Sequence, residues 1–332
     1  MTPPARILVV RYSALGDVVL ATSVLEPLRR RFPGARIEWV TDPLYAPLLE
    51  GLPEIAQVHR LARDGEDGAL AVAARVRGRF DLAIDLQNKA RSAVVAHAAA
   101  PRRAAFRRRS PLQALRALFG EDPPLVRAHQ TSLYAEALAP LGIDAVGPTK
   151  VSLSEQARTL GADALGAVRP PIVAIAPGAR WATKRWPAAR FAAVADALAA
   201  DGCRIVLCGG PGDRAAFDAF RAAARVEVAA DLSFLPIDAL AAAIAGVQLL
   251  VACDSGPVHL ATAVGTPVLA LFGPTSAARW GPPAPGRALS LGLVCSPCSN
   301  HGSETCPEGH HRCLGDLAPE AVVAAAREML SR

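Results

Sequence analysis

The amino-acid sequence predicts an α/β protein built from two doubly wound, Rossmann-like domains that face a central cleft. The chain has 332 residues, about twice the length of an ordinary domain. Strand, loop and helix patterns alternate in its first half, and the alternation starts again after a Gly/Pro break at 166–171. Polar and glycine-rich motifs follow several predicted strands. They therefore lie at the edge of a parallel sheet where ligands bind.

The first predicted domain covers residues 1–168. Apolar runs at 6–11, 36–41 and 80–86 predict strands, and helical patterns separate them. Repeated strand–helix units of this kind form a mostly parallel sheet.

The second predicted domain covers residues 169–332. Apolar runs predict strands at 172–177, 203–210, 248–254 and 267–273. The helix between the first two of these strands starts with a proline and ends with a glycine, as the preferences at helix ends predict. We expect that the last helix can pack back on the first domain.

Composition and charge narrow the classes of function. Hydrophobic residues make up 52% and charged residues 20%, and no apolar run approaches the roughly 18 residues of a membrane span. The beginning of the chain resembles a strand rather than a signal peptide, so we expect a cytoplasmic protein. The net charge of +6 lies wholly in residues 1–150, which contain 21 Lys+Arg and 15 Asp+Glu.

The positive charge is densest in the segment Arg102–Arg109. Such a surface suits an acidic partner: a phosphorylated sugar, a nucleic acid or an anionic membrane. A solvated loop is the alternative. Only Phe106 interleaves the arginines, so no stacking platform for bases is evident and we expect no nucleic acid. Apolar residues at helical spacing in 110–119 could contact a membrane surface or pack on the domain as an ordinary amphipathic helix.

Lysine is rare in this chain and occurs only at positions 89, 150 and 184. Because arginine supplies almost all other positive charge, a retained lysine indicates a site that needs a compact ammonium group. Lys184 lies between Trp181 and Trp186 in the stretch PGARWATKRW. An exposed lysine left by chance is the alternative.

Asp17 follows Gly16 where the first strand leads into the first helix. Glycine lets the backbone pass close to a ligand. A carboxylate within hydrogen-bond reach of a hydroxyl can act as a general base. Helix capping is the alternative role for Asp17, although Ser13 could serve the same turn.

The stretch DSGPVH follows a strand of the second domain. The N–H groups of Ser255 and Gly256 at a helix N-terminus can bind an anion such as phosphate. Asp254 can accept hydrogen bonds from sugar hydroxyls, and His259 lies one turn into the helix. A Ser-capped helix with a core histidine is the alternative.

The stretch FGPT follows the next strand, where Gly273 permits close backbone approach and Thr275 adds a polar group. Together these loops indicate a nucleotide-linked anion held in the second domain. The chain has no GxxxxGK[ST] loop and no GxGxxG after the first strand, which argues against an NTPase and a dinucleotide dehydrogenase.

Four cysteines cluster near the end of the chain, close to three histidines: Cys295, Cys298, Cys306 and Cys313. Four such residues can hold a structural zinc ion. Their later spacing is not that of a standard zinc ribbon, so free thiols in a loop near the donor site are the alternative.

Taken in order, five segments resemble glycosyltransferase family 9, the lipopolysaccharide heptosyltransferases. They are ILVVRYSALGDVVLATSVLEPLRRRFP, DLAIDLQNKARSA, PGARWATKRWP, DSGPVHLATAVGTPVLALFGPT and CSPC…CPEGHHRC. The resemblance implies a GT-B fold, with the acceptor on the first domain and the nucleotide sugar on the second. It also implies an inverting reaction that needs no metal and no cofactor, in which heptose moves from ADP-heptose to the acidic, lipid-linked inner core of lipopolysaccharide. Such an enzyme would be cytoplasmic, with peripheral contact to the inner face of the cytoplasmic membrane.

The resemblance also implies roles for single residues. Asp17 matches the catalytic base, and Lys184 matches the lysine that contacts the donor phosphates and sugar. The other predicted donor-binding residues are Asp254, Ser255, Gly256, His259, Gly273 and Thr275. We assign acceptor binding to Gly16, Lys89, Arg91, Arg107, Arg108 and Arg109. Ala182 and Thr183 stand where many members have a Gly-containing turn, which leaves the geometry of that loop open.

Three alternatives remain at this point. One is another GT-B glycosyltransferase with a different nucleotide sugar or acceptor. The second is a sugar-nucleotide epimerase, which would need an additional acid/base set and no large acceptor surface, so the basic first half argues against it. The third is a nucleic-acid-binding module that uses the Arg102–Arg109 segment.

Overall fold

The computed structural model describes residues 2–63, 65–106 and 128–331, and it confirms the predicted α/β class. These residues form two compact units, which divide between Ser152 and Leu153. Each unit contains one parallel sheet. Among these residues, none of the helices has both the length and the apolar character that a bilayer span requires.

The first unit contains a five-stranded sheet. Its strands are β1 (Arg6–Val10), β2 (Arg36–Thr41), β3 (Ile55–Arg60), β4 (Leu82–Asp85) and β5 (Arg102–Ala105). Its described helices are α1 (Leu15–Ala21), α2 (Leu25–Arg31), α3 (Ala69–Val76), α4 (Ala90–Ala99) and α5 (Gln130–Leu138). The strand order is β3-β2-β1-β4-β5, and all neighbours are parallel. Strand β1 is apolar on both faces and buried from Ile7 to Val10, as expected for a central parallel strand.

Strand β5 lies within the segment that the sequence predicts as an arginine-rich patch. Arg102 and Arg103 pair with β4 in a parallel register. These two arginines therefore belong to an edge strand and not to a loop. The predicted acceptor residues Arg107, Arg108 and Arg109, and the amphipathic pattern at 110–119, lie outside the described residues.

The second unit contains a six-stranded sheet. Its strands are β6 (Ile172–Ala176), β7 (Arg204–Leu207), β8 (Ala230–Asp231), β9 (Leu249–Cys253), β10 (Val268–Leu271) and β11 (Arg287–Leu289). Its helices are α6 (Glu155–Leu165), α7 (Ala188–Ala200), α8 (Arg214–Ala223), α9 (Ile237–Ala245), α10 (Gly256–Val264), α11 (Ala277–Trp280), α12 (Arg312–Gly315) and α13 (Pro319–Leu330). The strand order is β11-β10-β9-β6-β7-β8, so β9 lies between β10 and β6. The four strands predicted for this half correspond to β6, β7, β9 and β10.

The last helix, α13, packs on α7 and β9 of the second unit. Val322 and Ala326 of this helix are fully buried in the apolar core that also contains Trp186 and Phe191. The buried apolar residues of α13 thus pack within its own unit, and packing of this helix on the first domain stays a prediction.

The sequence predicts a domain boundary at 168/169, but the two units divide between Ser152 and Leu153. Helix α6 explains the difference. This helix packs closely on α9 of the second unit. Gly161 allows the close approach, because a Cβ there would lie 2.7 Å from the Ala243 backbone nitrogen and 2.9 Å from the Ala239 carbonyl oxygen. The Gly/Pro break at 166–171 therefore joins two elements of one unit.

Replacing Gly161 with alanine should destabilise the protein. Helix propensity alone would favour alanine by about 1 kcal/mol. The added Cβ meets backbone atoms, which cannot move aside as a side chain can, so we expect the free energy of unfolding to fall by about 1–3 kcal/mol. Urea unfolding measures this change. Gly315→Ala is the matched control, because a Cβ at that helical position meets nothing within 4 Å. Equal stability of Gly161→Ala and the wild type would contradict the packing described for α6.

Candidate active site

Asp17 lies in the first turn of α1, directly after β1. Its Oδ2 is 2.7 Å from a terminal nitrogen of the Arg11 guanidinium, and its Oδ1 accepts a hydrogen bond from the Tyr134 hydroxyl at 2.9 Å. The Asp17 side chain keeps 17% of its surface exposed. The structure therefore presents a carboxylate that is held on both oxygens and is still accessible to a substrate hydroxyl.

Arg11 is almost fully buried and links the ends of two neighbouring strands. Its guanidinium donates to the Leu86 carbonyl after β4 at 2.6 Å and lies 5.7 Å from the centroid of the Tyr134 ring. Burial disfavours its charge, but Tyr134 and Asp17 outweigh burial and raise the pKa of Arg11. Burial also raises the pKa of Tyr134, so its hydroxyl remains a donor. A permanent cation and a neutral hydroxyl thus orient the Asp17 carboxylate.

The capping roles considered for this turn are not observed. Ala14 is the N-cap residue of α1, and no side chain caps the helix. Ser13 instead donates its backbone N–H to Gln87 Oε1 at 3.3 Å. Gly16 lies in the same turn and is partly exposed. The Asp17 carboxylate is bound by Arg11 and Tyr134 rather than by the helix backbone.

Asp85 holds the turn that follows β4, next to the end of β1. Its carboxylate accepts hydrogen bonds from the backbone N–H groups of Gln87 and Asn88 at 3.0 and 2.8 Å. The Ser92 hydroxyl donates to its other oxygen at 3.0 Å. This buried carboxylate fixes the backbone that leads to Lys89.

The two predicted acceptor residues of this turn differ in their surroundings. Lys89 is exposed at the N-terminus of α4. Arg91 donates to the Ala62 carbonyl, and its guanidinium lies 5.2 Å from the Tyr12 ring centroid. Lys89 is therefore available to a ligand, whereas Arg91 also holds a neighbouring loop.

The second unit brings three predicted donor-site residues together. Lys184 Nζ lies 2.8 Å from Asp254 Oδ2, and Thr275 Oγ1 donates to the same oxygen at 2.6 Å. The three residues follow β6, β9 and β10, which are adjacent in the sheet. The side chains of Lys184 and Asp254 are only 15% and 6% exposed. A lysine and a carboxylate are thus paired, largely out of water, at the carboxyl ends of the strands.

The charges of this pair reinforce each other. Burial disfavours the ionised carboxylate, but Lys184 and the Thr275 hydroxyl outweigh burial and hold the pKa of Asp254 below its usual value. His259, buried one turn into α10, acts in the same direction. Asp254 is therefore ionised at neutral pH and forms an ion pair with Lys184.

Helix α10 begins at Gly256, directly after this carboxylate. Ser255 is its N-cap residue, but the Ser255 hydroxyl donates to the Cys253 carbonyl at 3.0 Å and does not cap the helix. Pro257 occupies the first turn, where a missing N–H is tolerated. The Ser-capped helix that was the alternative to an anion site is thus not observed. The positive end of α10 keeps backbone N–H groups that an anion can use.

Gly273 is required for packing, a role that the sequence analysis did not predict. A Cβ on this residue would lie 2.6 Å from Leu314 Cγ and 3.0 Å from Cys313 Sγ. The missing side chain lets α12 pack against the end of β10.

Lys184 is the last residue of a 3-10 turn, Ala182–Lys184. Its neighbours are bound elsewhere: Trp186 is buried and donates to the Leu317 carbonyl at 3.2 Å, and Arg185 donates to the Ala179 carbonyl at 2.8 Å. Of these three adjacent side chains, only that of Lys184 reaches Asp254.

Cys295, Cys298 and Cys306 lie in one loop beside this site, Cys313 lies in the helix α12 that follows it, and all four thiols are free. Cys298 donates its backbone N–H to the Pro274 carbonyl at 3.0 Å, which brings the loop next to Thr275. Within the described ranges, no group of three or more His, Cys, Asp and Glu side chains is arranged to hold a metal ion.

Three residues at the strand ends and beside Asp17 were not predicted from the sequence: Arg11, Tyr134 and Asp213. Asp213 lies where β6 and β7 end: its carboxylate accepts a hydrogen bond from the Gly210 N–H at 3.0 Å and fills the space beside Gly178. The glycines before this acid, in CGGPGD, could have indicated it. Tyr134 is 117 residues from Asp17, and no local pattern predicts that contact.

Comparison with known proteins identifies the family to which this chain is similar. A family model described as glycosyltransferase family 9 (heptosyltransferase) matches residues 69–311. The chain is 29% identical to lipopolysaccharide heptosyltransferase 2 of Escherichia coli strain K12, with 98% of each chain covered. It is 30% identical to lipopolysaccharide heptosyltransferase 3 of the same strain, over 80% of this chain and 82% of that protein.

Solved structures give the same result for the fold. The structure of a glycosyl transferase family 9 protein from Veillonella parvula DSM 2008 matches with a TM-score of 0.79 and 25% identity, over 98% of this chain and 97% of that one. The structure of E. coli ADP-heptose lps heptosyltransferase II matches with a TM-score of 0.75 and 24% identity, over 98% of both chains. These similarities confirm the predicted GT-B fold class. Because the family model matches well over half of this chain, the chain belongs to glycosyltransferase family 9, the heptosyltransferases.

Proposed function

We propose that this glycosyltransferase moves heptose from ADP-heptose to the acidic, lipid-linked inner core of lipopolysaccharide, with inversion and without a metal. The observation that carries the proposal is the Lys184–Asp254 pair beside the N-terminus of α10. Lys184 and the positive end of α10 supply the positive charge that a diphosphate needs. The choice of ADP-heptose as the donor is supported by a protein of similar fold. E. coli heptosyltransferase WaaC has been solved with ADP and with ADP-2-deoxy-2-fluoro heptose.

On the donor side, Lys184 offsets the charge of the departing diphosphate. Negative charge grows on the leaving oxygen of ADP as its bond to the anomeric carbon breaks. A fixed ammonium group in a largely buried site stabilises that charge more than water would. The first-turn N–H groups of α10 bind the phosphates, and Asp254 accepts hydrogen bonds from the sugar hydroxyls.

On the acceptor side, Asp17 acts as the general base. It takes the proton of the acceptor hydroxyl while that oxygen attacks the anomeric carbon from the face opposite the diphosphate. One C–O bond forms, the bond to the diphosphate breaks, and ADP leaves with the electron pair, so the configuration inverts. Arg11 and Tyr134 keep the carboxylate in one orientation, which lowers the entropic cost of reaching the transition state.

The acceptor is assigned from charge. All of the net charge of +6 lies in residues 1–150, and Lys89 is exposed at the end of the sheet that carries Asp17. An oligosaccharide that bears phosphates and carboxylates fits such a surface. Because this acceptor is lipid-linked, we place the enzyme in the cytoplasm with peripheral contact to the inner membrane.

Product masses test the proposal directly. The purified protein would be incubated with truncated lipopolysaccharide and, in separate reactions, with ADP-heptose, ADP-glucose, UDP-glucose and UDP-N-acetylglucosamine. We expect the acceptor to gain one heptosyl unit with ADP-heptose alone, equally with and without EDTA. Transfer from another nucleotide sugar only, or loss of transfer in EDTA, would contradict the proposed donor or mechanism.

Asp17→Asn should lower kcat by about 10²–10⁴-fold, the usual contribution of a general base, because the amide cannot accept the proton. The dissociation constant for the nucleotide sugar should stay within about twofold of the wild-type value, since the donor binds to the other unit. Steady-state kinetics and calorimetry measure the two quantities. Asp144→Asn, at an exposed carboxylate of the same unit, is the control. If Asp17→Asn had the same kcat as the control, Asp17 would not be the general base.

Lys184→Ala should lower kcat on the order of a hundredfold or more, and more than it weakens donor binding, because the charge it offsets is largest in the transition state. Lys184→Arg should restore little activity, since a planar guanidinium does not fit where an ammonium lies 2.8 Å from Asp254. Donor affinity and kcat of both variants measure this. Lys150→Arg, at a lysine that pairs with Glu54 in the first unit, is the control and should keep full activity. Wild-type kcat in Lys184→Arg would show that only the charge matters.

A further inference from the structure

The loop that carries Cys295, Cys298 and Cys306 has no part in the mechanism above. We call residues 295–311, which end where α12 begins, the cysteine loop. The loop contacts two of the three strand-end segments that form the donor site: the 3-10 turn that ends at Lys184, and the segment 273–275 after β10. Its sequence position, after β11, gives no reason for it to return to either of them.

Its contact with the lysine turn is centred on Thr183, which is buried. The Thr183 backbone N–H and hydroxyl both donate to the Ser303 carbonyl, at 3.0 and 2.8 Å. The Ser303 N–H donates back to the Thr183 hydroxyl at 2.9 Å. His311 Nε2 donates to the Thr183 carbonyl at 2.7 Å. Every polar group of Thr183 is therefore bound by the cysteine loop.

The loop also packs on the side chain of Lys184 itself. Gly302 has φ of +90°, and a Cβ there would lie 2.8 Å from Lys184 Cδ and 2.8 Å from Trp181 Cβ. Only glycine lets the loop backbone lie this close to the aliphatic part of Lys184.

At its other end the loop is bound to the segment after β10. The Ser296 hydroxyl donates to the Gly273 carbonyl, and the N–H groups of Cys298 and Ser299 donate to the Pro274 carbonyl at 3.0 and 2.9 Å. Thr275, the next residue, donates to Asp254. One loop thus connects the backbone that carries Lys184 to the backbone that carries a partner of Asp254.

A three-residue 3-10 turn cannot hold a lysine by itself, because such turns have few hydrogen bonds of poor geometry. A free lysine side chain also carries about 2 kcal/mol of rotamer entropy that must be lost on binding a phosphate. A group that stabilises a transition state has to be in place before the reaction begins. From these contacts we infer that the cysteine loop positions Lys184, with Thr183 as the residue through which it acts. This inference rests on the proposed role of Lys184.

Thr183→Val tests the inference, with Thr183→Ser as its matched partner. Valine keeps the volume of threonine but loses the hydroxyl and leaves the Ser303 N–H without that acceptor, whereas serine keeps both bonds. We expect kcat with ADP-heptose to fall between about tenfold and a hundredfold in Thr183→Val, as for a displaced catalytic group. ADP affinity should change by less than about threefold, and Thr183→Ser should keep most of the activity. An unchanged kcat in Thr183→Val would overturn the inference.

Two further variants separate positioning from stability. Ser303→Ala should behave like the wild type, because Ser303 holds Thr183 mainly through its backbone. His311→Asn removes the bond to the Thr183 carbonyl while keeping a residue that tolerates the φ of +47° found there. This variant should also lower kcat, and it replaces Thr183→Val as the test if Thr183→Val does not fold. A kcat in His311→Asn equal to that of Ser303→Ala would count against the inference.

Hydrogen exchange gives a readout that does not depend on the substrate. Amides of residues 181–186 should exchange faster in Thr183→Val than in the wild type and Ser303→Ala, and unchanged exchange there would overturn the inference. Lys184→Ala is measured in parallel. If that variant keeps its kcat, the proposed role of Lys184 fails. If it loses kcat while Thr183→Val keeps it, only the positioning role of the loop fails.

Discussion

The proposed donor site depends on one interaction, the ion pair between Lys184 and Asp254. Removing two charges from water costs several kcal/mol per ion, so a pair this buried has to be compensated by further contacts. The Thr275 hydroxyl binds the same carboxylate oxygen as Lys184, and His259 adds to the field at Asp254. The surrounding segments therefore hold two buried charges together, and such a pair marks a candidate functional site rather than a source of stability.

Parallel sheets explain how residues so far apart in sequence come to form this site. The strands β6, β9 and β10 are neighbours in the second sheet, and their carboxyl ends lie at one edge. Lys184, Asp254 and Thr275 each follow one of these strands. In the first unit, β1 and β4 are likewise adjacent, and Arg11 connects their ends while it holds Asp17. The two units thus use the same construction, with the proposed base, an anion, in one and the proposed cation for the leaving group in the other.

Much of this arrangement could be predicted from the sequence, because the strands are apolar runs and the polar residues follow them directly. Asp17 and Asp254 were found for that reason, whereas Lys184 was found because lysine is rare in this chain. What could not be predicted depends on contacts across the fold. Tyr134 reaches Asp17 from α5, and Gly273 is needed for the packing of α12, which begins almost forty residues later. The division at Leu153 depends on the contact between α6 and α9, whereas the Gly/Pro break at 166–171 is only a local signal. That Arg102 and Arg103 form the strand β5 was not predicted, because this arginine-rich run lacks the apolar pattern of a buried strand.

The central claim is that Lys184 pairs with Asp254 in the ligand-free protein and binds phosphate when ADP is present. Binding of ADP to the Asp254→Asn variant tests this claim. Removing the charge of Asp254 leaves the charge of Lys184 to the phosphates and removes a repulsion between the carboxylate and ADP. Calorimetry should therefore give an ADP dissociation constant equal to or below that of the wild type, even though turnover of the nucleotide sugar falls. ADP binding more than about tenfold weaker would contradict the claim, because it would mean that the pair is needed to form the site and does not yield its cation to phosphate.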